Sequence, residues 1–161
     1  MISFREAGED DAELLTRLIR AAFADVAERF GLTVENCPSH PAFTTVDHQR
    51  QAIAKGIRYF VLQDGDGPAG CAAWDSRTPE EPWLARLSVL PGKRRRGYGQ
   101  ALVQHVVAAA RGQALSRIFI GIIAAHRELV DWYERLGFEQ VALRRYEHLP
   151  FEVLVMALRP G

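Results

Sequence analysis

The sequence predicts an α/β (α+β) fold: a sheet of about seven strands with mixed directions, flanked by about four helices. Three observations carry this expectation. Short apolar runs of strand length recur along the chain, segments with apolar residues three and four apart interrupt them, and glycine, proline or Asp-Gly punctuation separates the two kinds. The resulting order is β-α-α-β-β-β-α-β-α-β-β. No repeat, low-complexity tract or composition break divides the 161 residues, so one domain over residues 1–161 is expected. A chain of this size buries roughly two thirds of its unfolded surface and needs neither disulfide nor metal to fold.

Ile2-Ser3-Phe4 alternates as a short opening strand. Asp10 and Glu13 stand at capping-box spacing ahead of a helix whose apolar residues run Leu14, Leu15, Leu18, Ile19, Ala22, Phe23, Val26 and Phe30, with Gly31 as its stop. Pro38 and Pro41 make the following segment a loop. A second helix is expected from about Thr45 to Lys55, closed by Gly56. Ile57–Leu62 reads as a strand, Asp64-Gly65-Asp66-Gly67 as a turn and Pro68–Trp74 as the return strand. Trp83–Val89 is a fourth strand ended by Pro91-Gly92. Ala101–Arg111 is helical, with Leu102, Val106 and Ala109 on one stripe. Ile118–Ile123 is a continuous apolar strand, Glu128–Leu136 a helix stopped by Gly137, and Phe138–Tyr146 and Phe151–Leu158 two closing strands.

Twenty basic and twenty acidic residues cancel, which argues against a dedicated nucleic-acid binder. The balance is uneven along the chain. Residues 1–80 hold 8 basic and 13 acidic side chains, and residues 81–161 hold 12 and 7, so an anion is better sought in the second half. The first twenty residues lack an apolar core of signal-peptide type, and no apolar stretch is long enough to span a membrane. Cytoplasmic residence with Cys37 and Cys71 reduced is the expectation.

Lys93-Arg94-Arg95-Arg96-Gly97-Tyr98-Gly99 connects the fourth strand to a helix. The first amides of a helix lack internal partners and sit at its positive end, and glycines let an anion approach the backbone. A diphosphate suits such a turn. A Walker A sequence is absent, and the third glycine of a dinucleotide fingerprint is missing. On the residues alone, a solvated basic turn with a glycine helix start remains an equal reading.

Arg94-x-x-Gly97-x-Gly99, preceded by Val89-x-Pro91, resembles the acetyl-CoA motif of the GNAT superfamily of N-acyltransferases. Trp132-Tyr133-Glu134-Arg135-Leu136-Gly137-Phe138 is similar to that superfamily's Phe-Tyr-x-x-x-Gly-Phe segment, and one helix and one strand separate the two motifs as they should. The resemblance implies a mostly antiparallel sheet whose fourth and fifth strands splay into a V that holds the acyl-CoA. It implies that the backbone of Arg94, Arg95, Arg96, Gly97, Tyr98 and Gly99 binds the pyrophosphate, and that the edge from Leu87 to Val89 pairs with the pantetheine arm. It also implies that Tyr133 protonates the departing thiolate; the unperturbed phenol pKa of about 10 lies above the thiol's of about 8.5. His126 stands where the family usually has Asn, and Leu129 where a small Ala is common. Tyr133 also shares a helical stripe with Leu129, Trp132 and Leu136, so a place in the core is its alternative reading.

A general base is not evident. The fourth strand, Trp83-Leu84-Ala85-Arg86-Leu87-Ser88, contains no acidic residue, which leaves a water relay, or His40, His148, Glu147 or Glu35 by default. No cluster has metal-ligand spacing, so no metal is expected. The expected activity is transfer of an acetyl group from acetyl-CoA to an amine by direct attack in a ternary complex. The resemblance implies that the loops Glu35–Phe43 and Tyr146–Phe151 border the acceptor; both mix aromatic, proline and histidine residues, which favours a small-molecule acceptor. Neither nucleic acid nor membrane is an expected partner, and the state is monomer or homodimer. A non-catalytic acyl-CoA-binding or sensing module is the alternative, and a nucleic-acid binder through Lys93–Arg96 ranks below it.

Overall fold

The computed structural model describes all residues from Met1 to Gly161. The strands are β1 (Ser3–Glu6), β2 (Arg58–Asp64), β3 (Gly67–Asp75), β4 (Trp83–Val89), β5 (Ile118–Ile123), β6 (Glu139–Arg145) and β7 (Glu152–Leu158). The helices are α1 (Ala12–Arg29), α2 (Val46–Ala54), α3 (Tyr98–Gly112) and α4 (Arg127–Arg135), with short 3₁₀ turns at Glu9–Asp11, Pro41–Phe43 and Pro91–Lys93. The seven strands form one sheet in the order β1-β2-β3-β4-β5-β7-β6. Every neighbouring pair is antiparallel except β4 and β5. The mixed, mostly antiparallel sheet and the element order are those expected.

Local differences have local causes. The cap ahead of α1 is not Asp10 with Glu13. Asp11 instead accepts from the Gly8 amide at 2.9 Å and pairs with Arg5 at 2.8 Å, because the chain first makes a 3₁₀ turn and enters α1 one residue later than the capping spacing implies. The buried stripe of α3 is Leu102, Val103, Val106, Val107 and Ala110; Ala109 is only half-buried. β2 runs on to Asp64, whose side chain then accepts from the Asp66 amide to form the turn.

Two layers of core pack on the sheet. α3 and α4 cover one face through Leu102, Val106 and Val130, joined by Phe138 from the turn after α4, against Leu62, Trp74, Ile120 and Met156. α1 and α2 cover the other through Leu15, Leu18, Ile19 and Ala52 against Tyr59, Val61 and Ala73.

β4 is the strand that positions the site. Its partner β3 can approach it only because residue 70 is glycine: a Cβ there would lie 2.4 Å from the Ser88 carbonyl oxygen and 3.3 Å from Leu102. The register then skips, with Cys71 opposite Ser88 and Ala73 opposite Ala85, so Arg86 and Leu87 share one partner. Arg86 adopts a left-handed backbone at this bulge, φ +55. At the other end of β4, only Trp83 pairs with β5, through Phe119.

Gly70→Ala forces β3 and β4 apart. A loss of about 1–3 kcal/mol is expected, the usual range for overpacking, read as a lower urea midpoint at unchanged slope. A variant as stable as the parent would show that the two strands are free to separate.

Candidate active site

β4 and β5 diverge beyond their single pair, and a cleft of about 1180 Å³ fills the wedge between them. Leu84, Arg86, Leu87 and Val89 line one wall, and Ile120, Ile122 and Ile123 the other. β4 is satisfied along its β3 edge and β5 along its β7 edge. Their facing edges are therefore left with unpaired backbone groups, which need water or a ligand.

The Lys93–Gly99 turn closes one end. Arg95 and Gly97 both have left-handed backbone, φ +66 and +80, and alternating conformations of this kind turn successive amides toward one concavity. The amides of Arg95, Arg96, Gly97, Tyr98, Gly99 and Gln100 donate to no backbone carbonyl. They stand at the N-terminus of the 15-residue α3, where the helix dipole adds positive potential. The residues thus fit a phosphate-bearing ligand. The two glycines differ in purpose. Gly97 supplies the conformation and has open space around its Cβ position, whereas a Cβ on Gly99 would lie 3.3 Å from the Trp132 ring. Gly99 is small because α3 packs on α4 there.

Of the residues singled out from the sequence, Leu87, Val89, Arg94, Arg95, Gly97, Tyr98, Gly99, His126 and Tyr133 all line this cleft; Arg96 does not. The Arg94 guanidinium is held on α1 by Asp25 at 2.7 Å and by the Ala22 carbonyl at 2.8 Å. The His126 ring is half-buried, its Nδ1 has no hydrogen-bond partner, and Glu128 lies 3.9 Å away. Burial, then the nearby Arg29 charge, lowers its pKa. Tyr133 is 4% exposed, edge-on to Trp132 and Phe138, and at once part of the core and part of the cleft wall. Burial raises its phenol pKa, so the hydroxyl stays protonated at neutral pH.

Among the default bases, His40 and His148 line the cleft, and Glu35 and Glu147 do not. His40 Nδ1 accepts from the Ala42 amide at 3.1 Å, so the hydrogen-bond pattern places its proton on Nε2. Burial, reinforced by Arg86, lowers its pKa to about 4. His40 is therefore a neutral donor, ill suited to take up a second proton. Cys37 and Cys71 are both buried, and burial raises the Cys71 thiol to about 12, which removes it as a nucleophile.

Two residues escaped the sequence reading. Asp64 accepts from Lys93 Nζ and from the Tyr98 hydroxyl, each at 2.9 Å, and so ties both sides of the Lys93–Gly99 turn to the β2–β3 hairpin. In sequence it is merely part of a hairpin turn, since its partners lie 29 and 34 residues away. Arg86 was one basic residue among many; only the bulge turns it into the cleft.

Residues 33–138 match the acetyltransferase (GNAT) family. The chain is 27% identical over 95 residues to the [ribosomal protein bS18]-alanine N-acetyltransferase of Escherichia coli K12, a stretch that makes up 58% of this chain and 64% of that relative. The crystal structure of the Escherichia coli ribosomal-protein-S18-alanine N-acetyltransferase superposes with TM-score 0.76 at 17% identity, covering 100% of this chain and 95% of that one. A Salmonella typhimurium protein solved with its cofactor acetyl-CoA superposes with TM-score 0.74 at 16% identity, covering 100% and 95%. These structural likenesses establish the shared fold.

Asp64 carries a pH signature. Hydrogen bonding from Lys93, then from the Asp66 amide, lowers its pKa to about 2, below the unfolded value of about 3.9. Its contribution is full above about pH 4 and is lost as pH falls toward 2. Asp64→Asn should melt below the parent by a constant margin from about pH 5 to 8, and the margin should close in acid. A margin independent of pH down to 2 would refute the charged clamp.

Proposed function

The chain belongs to the acetyltransferase (GNAT) family, and from that premise we propose that it is an enzyme, folded as one domain over residues 1–161, that moves an acetyl group from acetyl-CoA to the amine of a small molecule. The observation that carries this reading is the row of unpartnered amides from Arg95 to Gln100 at one end of a cleft walled by diverging strands. In this reading those amides hold the pyrophosphate. The open edge of β4 from Leu87 to Val89 takes the amide-bearing arm as an added strand would, which points the thioester toward the junction of β4 and β5.

The amine and the thioester are held together, and the amine nitrogen attacks the thioester carbon directly. The new C–N bond forms, the C–S bond breaks, and negative charge gathers on sulfur. Tyr133 donates its hydroxyl proton to that sulfur. The proton released by the amine passes to water and restores the phenol, so the balance is acetyl amide plus free thiol. Water serves as the relay, or His148 on the cleft wall takes the proton first, since neither His40 nor the carboxylate-free β4 offers a base. His126 borders the donor side in place of the more usual amide side chain.

The acceptor side lies between two loops. Ser39, His40 and Pro41 face the cleft from one, and His148, Leu149 and Phe151 from the other. Phe43, Leu149 and Phe151 also pack around the buried Cys37 and Ala42. Two loops that share a core form a shaped, partly apolar pocket, which supports a small acceptor over an extended polypeptide.

Two measurements test this reading. Acetyl-CoA should raise the melting temperature by mass action. Gly97→Val, which forces a β-branched residue into φ +80 while meeting nothing within 4 Å, should fold yet lose that rise. Retained acetyl-CoA stabilisation would remove the pyrophosphate assignment. Tyr133→Phe keeps the ring packing, so the melting temperature should hold within a few degrees. Its kcat should fall by about 10²–10⁴, the usual worth of one proton donor. Near-normal turnover would leave Tyr133 as a packing residue only.

A further inference from the structure

We propose that the acceptor is an amine that also carries a carboxylate, and that Arg86, turned into the cleft by the β4 bulge, is the residue that binds that carboxylate. The inference rests on the transferase reading of the cleft and goes on to the class of acceptor.

Arg86 is a cation without an anion. Its Nη1 is buried and has no hydrogen-bond partner. Its Nη2 has only a long contact, 3.4 Å to His48 Nε2. Asp25, Asp64, Asp66, Glu128 and the other paired carboxylates of the chain are all committed to other cations. The groups whose charges Arg86 feels or shifts are Tyr59, Cys71, His40 and His48. All four are neutral at pH 7: burial raises the Tyr59 phenol and the Cys71 thiol and lowers both histidines. A guanidinium cannot shed its charge in a protein, and a buried charge without a counter-charge is costly. Such a group is kept where a ligand supplies the counter-charge.

The bulge shows that the position is built. In a regular strand residue 86 would pair across to β3. Here it shares one β3 partner with Leu87 and takes a φ of +55, a conformation that non-glycine residues rarely adopt. A bulge re-aims a side chain, and this one aims Arg86 into the cleft.

The location separates this charge from the donor's phosphates. The Arg95–Gln100 amides lie past the end of β4, whereas Arg86 lies within the strand, in contact with His48 of α2 and close enough to His40 of the acceptor-side loop to lower its pKa. His40 lines the cleft, and with its Nδ1 occupied by the Ala42 amide its Nε2–H is left as a second donor. One cation and one neutral N–H match a monoanion. A carboxylate is satisfied by that pair, whereas a phosphate dianion would keep an unbalanced charge.

The experiment compares standard L-amino acids, β- and γ-amino acids and dipeptides with their own carboxamides, with phosphoethanolamine and with polyamines. All are given to the full chain with acetyl-CoA, and free thiol is measured. At least one carboxylate-bearing amine should exceed its carboxamide by about 10–100-fold in kcat/KM, the worth of one charge-assisted hydrogen-bond pair. Arg86→Gln should bring the two within about threefold of each other, chiefly by raising KM, and Arg86→Lys should recover part of the gap. Acetyl-CoA should stabilise all three proteins alike. A second readout does not depend on turnover: the CoA-bound protein should melt higher with the carboxylate-bearing amines and not with their carboxamides, and Arg86→Gln should abolish the difference.

If polyamines or carboxamides are acetylated as well as the acids, the transferase reading stands and the carboxylate inference is overturned. If phosphoethanolamine alone is preferred, it is overturned in favour of a phosphate. If no amine turns over but the Arg86-dependent shift appears, the anion site stands and the transferase reading falls. Absence of any carboxylate-dependent shift together with no turnover overturns both.

Discussion

Parallel strands β4 and β5 pair through Trp83 and Phe119 alone. Their rings lie 5.6 Å apart at this apex, and the Phe119 amide donates to the Pro82 carbonyl at 2.9 Å. Past it, β4 follows β3 and β5 follows β7 over all six of its residues. Each strand therefore has a saturated edge and an open one, and the two open edges face each other across a wedge. A continuous sheet would have closed these edges on themselves. The split sheet keeps backbone donors and acceptors in a half-enclosed space, where a ligand with amide groups can complete them.

The rest of the site is fitted around that wedge. The turn leaving β4 must reverse quickly into α3, and it does so through two left-handed residues that leave a run of amides pointing outward. A loop with so few internal bonds needs support from elsewhere. Asp64 provides it from the neighbouring hairpin, and Asp25 and the Ala22 carbonyl provide it from α1 through Arg94. The cradle is thus held by side chains while its backbone is left free. At the opposite side of the mouth, Arg29 of α1 is paired with Glu128 of α4. Both are well exposed, so this bridge adds little stability.

Two buried groups of the cleft wall are left short of partners: His126 Nδ1 and Arg86 Nη1. Elsewhere the chain satisfies buried polar atoms carefully; Gln49, fully buried, bonds to Thr16, Thr44 and the Thr45 carbonyl. Shortfalls concentrated in one cavity mark where a ligand is to supply what the fold omits.

Much of this was legible in the linear sequence because it depends on local rules. Period-two and helical spacing placed all seven strands and four helices, and glycines at 31, 56 and 137 marked the ends where left-handed backbone closes a helix. The glycine turn after β4 and the Trp132–Phe138 segment pointed to acyl-CoA chemistry, since a helix start that can take a phosphate is encoded within a few residues. What tertiary structure alone decided depends on residues distant in sequence. The register skip that turns Arg86 inward is set by how β3 lies against β4. The clamp by Asp64 joins residues 29 and 34 apart. Tyr133 was open to two readings, core or cleft, because a helical stripe shows which residues face inward but not that the interior there borders a cavity. Where β4 and β5 part, one side chain can be both, and only the divergence of two strands far apart in the chain creates such a place.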